Sequence, residues 1–321
     1  MKDGCKLCPR RCDADRTSSA GFCGASTNLE VASVTLHRGE EPPLNPIVNV
    51  FFAHCNLQCI YCQNYQISQG ERSKVKGEKY TVDTLVDQIV SHLSPLTSHL
   101  LGFVTAAHYA DRIPALLHAL RSKLQTALPE RQRTACDQRG ANCQLPTIVY
   151  NSSGYESVDT LRSLEGLIDI YLPDFKYMDS DLARRYSHAP DYPEVATAAL
   201  QEMIRQVGIG LKIDENGTAY RGLIVRHLVL PGHVENSLAV LDHLAQLPTA
   251  NYQLPTLSLM AQYYPPRPDL PAPLDRPVTA EEYAAVVAHA ENLGLTEGWI
   301  QELNARDNYR PDFTQSNPFE N

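Results

Sequence analysis

Cys55, Cys59 and Cys62 stand at C-x3-C-x2-C spacing within Ala53-His54-Cys55-Asn56-Leu57-Gln58-Cys59-Ile60-Tyr61-Cys62-Gln63-Asn64. Three thiolates can hold three corners of a [4Fe–4S] cube, which leaves the fourth iron without a protein ligand. A structural zinc site normally takes four protein ligands. The missing fourth ligand therefore suggests a cluster with one iron open to a small molecule.

A second group lies near the start of the chain, where Cys5-x2-Cys8-x3-Cys12 is followed by Cys23 between Phe22 and Gly24. Four thiolates in so short a polar segment can make a closed tetrahedral site. Residues 1–30 bury too little apolar surface to fold alone, so a metal would supply ordering free energy, ~10–16 kcal/mol in zinc-finger-like sites. Three readings stay open: a zinc knuckle that shapes the segment, an auxiliary iron–sulfur cluster that relays electrons, or free thiols. Cys136 and Cys143 fall in a polar stretch, 129–145, and read as surface thiols of a loop insertion; a third metal site or a regulatory disulfide is the alternative.

Asp174 and Lys176 are two apart on an extended run, so their side chains face one way. They can pair, or hold a zwitterion between them; the bland alternative is an exposed ion pair worth ~0–1 kcal/mol. Arg226 shares strand parity with Leu228 and Leu230. If that face is inward, Arg226 is a buried guanidinium in need of a carboxylate; if not, it is a surface arginine near the strand's start.

The elements that must position these residues alternate. Val31 to Leu36 is β-like, and Pro42, Pro43 and Pro46 then deliver an extended chain. Val48–Phe52 reads as a buried strand leading directly into the three-cysteine loop. A helix follows from the N-cap Thr81, with Val82, Leu85, Val86, Ile89, Val90 and Leu93 on one stripe. Strands are expected at 100–106, 147–151, 168–172, 223–230 and 256–260. Helices are expected at 111–128, 157–165, 193–207 and 235–247. A last helix, from the capping box Thr279-Ala280-Glu281-Glu282 to Leu293, closes at Gly294. Six βα units in a row predict a parallel sheet with helices outside. Six are too few for the eight-stranded barrel, so the fold class is α/β, a partial open (β/α)6 barrel. Sites in such folds collect at the C-terminal strand ends, here the cysteine loop, Thr105–His108, Asn151–Gly154, Asp174–Lys176, Pro231–His233 and Gln262–Tyr264.

The totals bound the function. The 321 residues suffice for one large domain (31–321, with a C-terminal helix and tail) plus a small Cys-rich segment (1–30). A net charge of −9 argues against a broad phosphate-binding surface, so nucleic acid is not an expected partner. Seven of the nine cysteines precede residue 63 in two tight groups, a pattern of metal ligation rather than a spread disulfide framework. No signal-peptide core follows Met1 and no run approaches ~18 apolar residues, so a cytoplasmic protein without a membrane span is expected.

The C-x3-C-x2-C motif with an aromatic before its last cysteine resembles the radical S-adenosylmethionine (SAM) superfamily. The run Phe51–Asn64, with Val149–Tyr155, Ile170–Lys176 and Arg226–Gly232, is similar to its pyruvate formate-lyase activating-enzyme-like branch. The resemblance covers nearly the whole chain. It implies the partial barrel, a [4Fe–4S] cluster on Cys55, Cys59 and Cys62, and SAM on the open iron. Electron transfer into SAM would yield a 5′-deoxyadenosyl radical for hydrogen abstraction, in an oxidoreductase served by a low-potential electron donor. It further implies that Tyr61 presents backbone to the adenine. Asn151, Ser152, Leu172 and Asp174 would border a monovalent cation beside the SAM carboxylate. Lys176 belongs to the same region, and Arg226 would lie near the ribose and carboxylate. The branch's best-known members activate a glycyl-radical enzyme. One departure stands out: the branch's Gly-Gly-Glu, which meets the SAM amino group, is replaced by Thr105-Ala106-Ala107-His108. Thr105, His108 or a backbone carbonyl would have to serve instead. Two rival readings are a noncatalytic metal-binding or electron-transfer module, and radical modification of a small molecule or RNA.

Overall fold

Runs of β-branched and aromatic residues that are apolar on both faces become the parallel centre of a sheet, because helices cover one face and a second core fills the other. In the computed structural model, which describes residues 4–18, 20–68, 77–93, 99–127, 145–247, 253–307, 310–315 and 317–319, this is what the six expected strands do. The first half of the chain gives β1 (Leu29–His37), β2 (Ile47–Phe52), α1 (Tyr65–Ser68), β3 (Glu78–Tyr80), α2 (Val82–Leu93), β4 (Leu100–Val104), α3 (Ile113–Ala127), β5 (Thr147–Ser152) and α4 (Val158–Ser163). The second half gives β6 (Ile170–Pro173), α5 (Ser180–Ser187), α6 (Tyr192–Val207), β7 (Lys212–Ile213), β8 (Ala219–Leu228), α7 (Val234–Ala245), β9 (Thr256–Met260), α8 (Ala280–Asn292) and β10 (Gly298–Ile300).

Strands β2, β4, β5, β6, β8 and β9 are neighbours in that order and all parallel. β10 extends the sheet in parallel beyond β9, while β1 and β3 add an antiparallel margin beside β2. The sheet is therefore open, with β10 and β3 at its ends. One strand parity carries Val50, Phe103, Tyr150, Tyr171, Val225 and Leu257 into the main core under the helices. The other carries Ile47, Leu100, Val149, Ile170 and Ile224 into a smaller core on the opposite face. Ile47, Leu100 and Ile170 are the first residues of their strands, and Val149 pairs level with Ile170. They fill the N-terminal half of that face and leave a cavity at the C-terminal half.

Local signals behave as their chemistry requires. The Thr81 Oγ1 accepts from Thr84 N–H at 3.2 Å and starts α2. The Thr279–Glu282 capping box forms at α8. Two expectations need correction. The proline-rich approach is not wholly extended, because Pro42–Leu44 makes a 3-10 turn with proline in a first-turn position, where its missing N–H costs nothing. The helix expected from 111 begins as a 3-10 turn at Ala107–Arg112. The insertion bearing Cys136 and Cys143 lies outside the described residues. Among the described residues no helix is long and apolar enough to cross a membrane.

Candidate functional site

The three-cysteine loop leaves β2 and is tied down residue by residue. His54 holds a left-handed backbone (φ 74°) and donates its N–H to Ile67 O at 2.6 Å. The fully buried Asn56 side chain donates to Tyr155 O at 2.7 Å. Ile60 N–H reaches Tyr186 O at 2.8 Å, and Cys62 N–H turns back to Cys59 O at 3.1 Å. Each sulfur has its own polar partner. Leu57 N–H donates to Cys55 Sγ (3.3 Å), the Ser187 hydroxyl donates to Cys59 Sγ (2.9 Å), and the Ser68 hydroxyl meets Cys62 Sγ (3.2 Å). Burial pushes all three thiols up, Cys59 to about 11, with the Lys176 ammonium pulling against that rise. Thiols this disfavoured as bare anions are poor free nucleophiles. A bound metal would draw them into the thiolate form.

All three cysteines line one cavity together with the strand ends, including Thr105, Asn151, Ser152, Asp174, Lys176 and Arg226. Lys176 Nζ pairs with Asp174 Oδ2 at 2.5 Å, both side chains mostly buried. Burial alone would lower the Lys176 pKa, but Asp174, Cys59 and Cys62 together hold it above the usual value. Gly154 makes this crowding possible: its φ is +79°, and a Cβ there would lie 2.2 Å from Asp174 O. Asn151 and Leu172 face the cavity. Ser152 reaches it too, although its hydroxyl is committed to the Glu156 carboxylate at 2.6 Å. The Tyr61 side chain packs edge-on against Tyr177, Tyr186 and Tyr263 and shares a 2.6 Å hydrogen bond with Tyr177 OH.

Arg226 faces inward, as its parity with Leu228 suggested, and its carboxylate partners are Glu40 (3.1 Å) and Glu41 (3.3 Å) from the turn after β1. Burial works against the guanidinium, and the two carboxylates more than restore its charge. Arg226 in turn holds Glu40 below the usual carboxylate range, while burial pushes Glu41 above it. Gln262 and Ser258 complete the network, donating to Glu40 (2.9 Å) and Glu41 (2.8 Å). Thr105, which opens the Thr-Ala-Ala-His stretch after β4, lines the cavity with a left-handed backbone at φ 59°. That is an uncommon conformation for a β-branched residue and a mark of functional sites. His108 turns away and gives its ring to Ala53 O at 2.8 Å.

Several members of the site carried no sequence signal of their own. Glu40 and Glu41 were hidden by the prolines that follow them. Ser187 ends a short, polar helix that the apolar pattern does not reveal. Glu156 sits four residues after Ser152 and is buried, its carboxyl pushed up by burial to about 7. A carboxylate beside the Asn-Ser-Ser-Gly turn was the one clue to it.

The fit to a cluster can be judged on this donor set. A single ion would need its ligands within roughly 4 Å of one another, and among the described residues no three His, Cys, Asp or Glu side chains are arranged to hold one. A cube asks something different, since each thiolate meets a separate iron. Three cysteines lining the same cavity, each sulfur with its own polar partner, are compatible with that demand. His54, the nearest imidazole in the loop, is already paired with Glu30 at 2.9 Å.

The N-terminal segment lies against the same loop. Arg10 donates to Asn56 O at 3.0 Å and Ser187 O at 3.2 Å, and also to His188 O.

No protein-family model matches the chain. The uncharacterized protein MJ0674 of Methanocaldococcus jannaschii is 26% identical over 296 residues, 91% of this chain and 75% of that protein. A second uncharacterized protein of that organism, MJ0808, is 25% identical over 111 residues, 30% of this chain and 33% of its own. Among solved structures, QueE from Escherichia coli aligns with a TM-score of 0.46 at 11% identity, over 87% of this chain and 96% of that chain. Neither curated relative's name states an activity.

Proposed function

We propose that this chain is a radical SAM enzyme built on a partial (β/α)6 barrel. The observation that carries the reading is the shared cavity: the three cysteines of C-x3-C-x2-C open into the same space as the Asp174–Lys176 pair. When bound, a [4Fe–4S] cluster would supply one low-potential electron to cleave SAM into methionine and a hydrogen-abstracting 5′-deoxyadenosyl radical. The chain's own residues bind and orient. Cys55, Cys59 and Cys62 would hold the cluster. Asp174 and Lys176 offer opposite charges to the amino-acid end of SAM. Asn151, Ser152, Leu172 and Asp174 would flank a monovalent cation, and the Tyr61 backbone would face the adenine. Arg226, fixed between Glu40 and Glu41, keeps a positive charge in the cavity without moving a proton. The apolar layer of Ile47, Val149 and Leu172 beneath excludes water from that end.

Within the superfamily the cysteine run supports an activating-enzyme-like oxidoreductase fed by a low-potential electron donor, with a glycyl-radical enzyme as partner. One observation favours a second reading, a small-molecule substrate: Pro311 and Phe319 of the C-terminal segment themselves line the cavity. The test is anaerobic reconstitution with iron and sulfide, then SAM and dithionite. Equal amounts of 5′-deoxyadenosine and methionine are expected, and none after Cys59→Ala. A reconstituted protein that binds iron yet leaves SAM intact would overturn the proposal.

A further inference from the structure

We propose that Cys5, Cys8, Cys12 and Cys23 form a second, all-thiolate metal centre, clamped onto the Cys55–Cys62 loop through Arg10. The first ground is a geometry that recurs in both cysteine groups. In the loop, the backbone N–H two residues on donates to Cys55 (from Leu57, 3.3 Å) and to Cys62 (from Asn64). In the N-terminal segment the same step donates to Cys23 (from Ala25, 3.4 Å) and to Cys8 (from Arg10). An N–H aimed at sulfur stabilises the anion that a metal needs.

The second ground is convergence. Cys5 N–H reaches Ala14 O (3.1 Å) and Asp13 N–H returns to Cys5 O (3.2 Å), which brings Cys5 alongside the residues that follow Cys12. Arg11 N–H closes a turn on Cys8 O (3.1 Å), and Gly24 N–H closes one on Gly21 O (3.0 Å) around Cys23. Cys12 Sγ packs directly on Gly21, where a Cβ would lie 2.6 Å from the sulfur. Cys8 lies within electrostatic range of Cys5 and Cys23, and Cys23 within that of Cys5 and Cys12. The thiols do not yet stand as the shell of a single ion. A bound metal would have to draw them together, and Cys12 is the exposed member.

The third ground is what this segment touches. Arg10, between Cys8 and Cys12, lies with its guanidinium 4.0 Å from the Phe22 ring centre and 4.9 Å from that of Tyr155. Its acceptors include Asn56 O inside the loop and Ser187 O, whose own hydroxyl serves Cys59. Gly24, at φ +86°, lets Cys23 approach the loop, since a Cβ there would lie 3.1 Å from His54 Nδ1. A metal that fixes Cys8, Cys12 and Cys23 therefore fixes the loop that carries the other three cysteines. The ligand class is a thiophilic metal, zinc or an iron–sulfur cluster.

The experiment uses the full chain with Cys55, Cys59 and Cys62 all changed to Ala, so its outcome does not depend on the radical SAM reading. Metal analysis is expected to find either one zinc or about four irons per chain. Mass spectrometry is expected to find Cys5, Cys8, Cys12 and Cys23 shielded from iodoacetamide until a chelator is added. Metal-free protein whose four cysteines alkylate as fast as in denaturant would overturn the proposal. A second variant guards against misfolding: Cys12→Ser, at the exposed ligand, should keep the native circular dichroism while releasing metal to chelator about tenfold faster, and an unchanged rate would contradict it. For the clamp, Arg10→Met in the otherwise wild-type chain should keep the N-terminal metal but speed iron loss from the Cys55 loop about tenfold. An unchanged rate of loss would remove Arg10 from the account.

Discussion

The two cysteine groups share a backbone device and differ in what lies before their sulfurs. Cys55, Cys59 and Cys62 number three and open onto a cavity lined by charged strand ends. Cys5, Cys8, Cys12 and Cys23 number four, and Cys12 reaches the surface. Three ligands facing a cavity leave room for a small molecule to complete the coordination. Four ligands in a short segment can close their own shell. If both groups bind metal as proposed, the difference teaches that ligand count and surroundings, more than cysteine spacing alone, would decide which centre can take a small molecule.

Four changes would break or sharpen that contrast. The largest effect is expected from Cys55→Ala, Cys59→Ala and Cys62→Ala together, which should reduce 5′-deoxyadenosine formation to background while leaving the N-terminal metal content unchanged. Simultaneous loss of both would mean that the groups are one centre. Next comes Arg226→Met, which strands Glu40 and Glu41 beside the cavity. Removing one partner from a buried ionic network costs about 3–5 kcal/mol, to be read as a lower denaturant midpoint, and a midpoint within error of wild type would show that the network is not needed. Asp174→Asn removes one charge from the proposed zwitterion clamp. It should weaken SAM binding by about ten- to a hundredfold, the value of a charged hydrogen bond of ~1.5–3 kcal/mol, as measured by equilibrium dialysis.

The smallest effect concerns Glu156, which touches both sides: its carboxylate accepts from Ser152 in the cavity, and its charge is felt at Cys8. Burial raises its pKa from 4.5 to about 7 in the folded state. A raised carboxyl binds its proton more tightly folded than unfolded. Its contribution is therefore full below about pH 4.5 and lost as pH rises through about 7. Wild type should lose on the order of 1–3 kcal/mol between pH 5 and 8 relative to Glu156→Gln. Parallel pH–stability curves for the two proteins would refute the assignment.

Much of this was legible in the sequence, and the gaps have physical causes. The cysteine loop, the six parallel strands, the α2 stripe and the α8 capping box follow from local rules: spacing, period and cap chemistry. Strand parity offered Arg226 as either an inward guanidinium in need of a carboxylate or a surface arginine, and naming Glu40 and Glu41 required knowing that β1 runs antiparallel to β2 and returns its turn to the rim. Ser187 could not be found from periodicity because α5 is only eight residues long, mostly polar, and buries little besides Ala183 and Tyr186 behind its Asp179 cap. Arg10 carried no visible role, since its partners, Asn56, Ser187 and His188, meet only in the folded chain. Long-range pairings of polar groups are what local pattern leaves unwritten.

The most direct test of the central claim is Mössbauer spectroscopy of the protein loaded anaerobically with enriched iron, recorded with and without SAM. If three thiolates leave one corner open, SAM should change the signal of one iron in the four of that cluster and leave the other three as they were. A spectrum that SAM leaves untouched, or a cluster whose irons are all equivalently ligated by protein, would contradict the account.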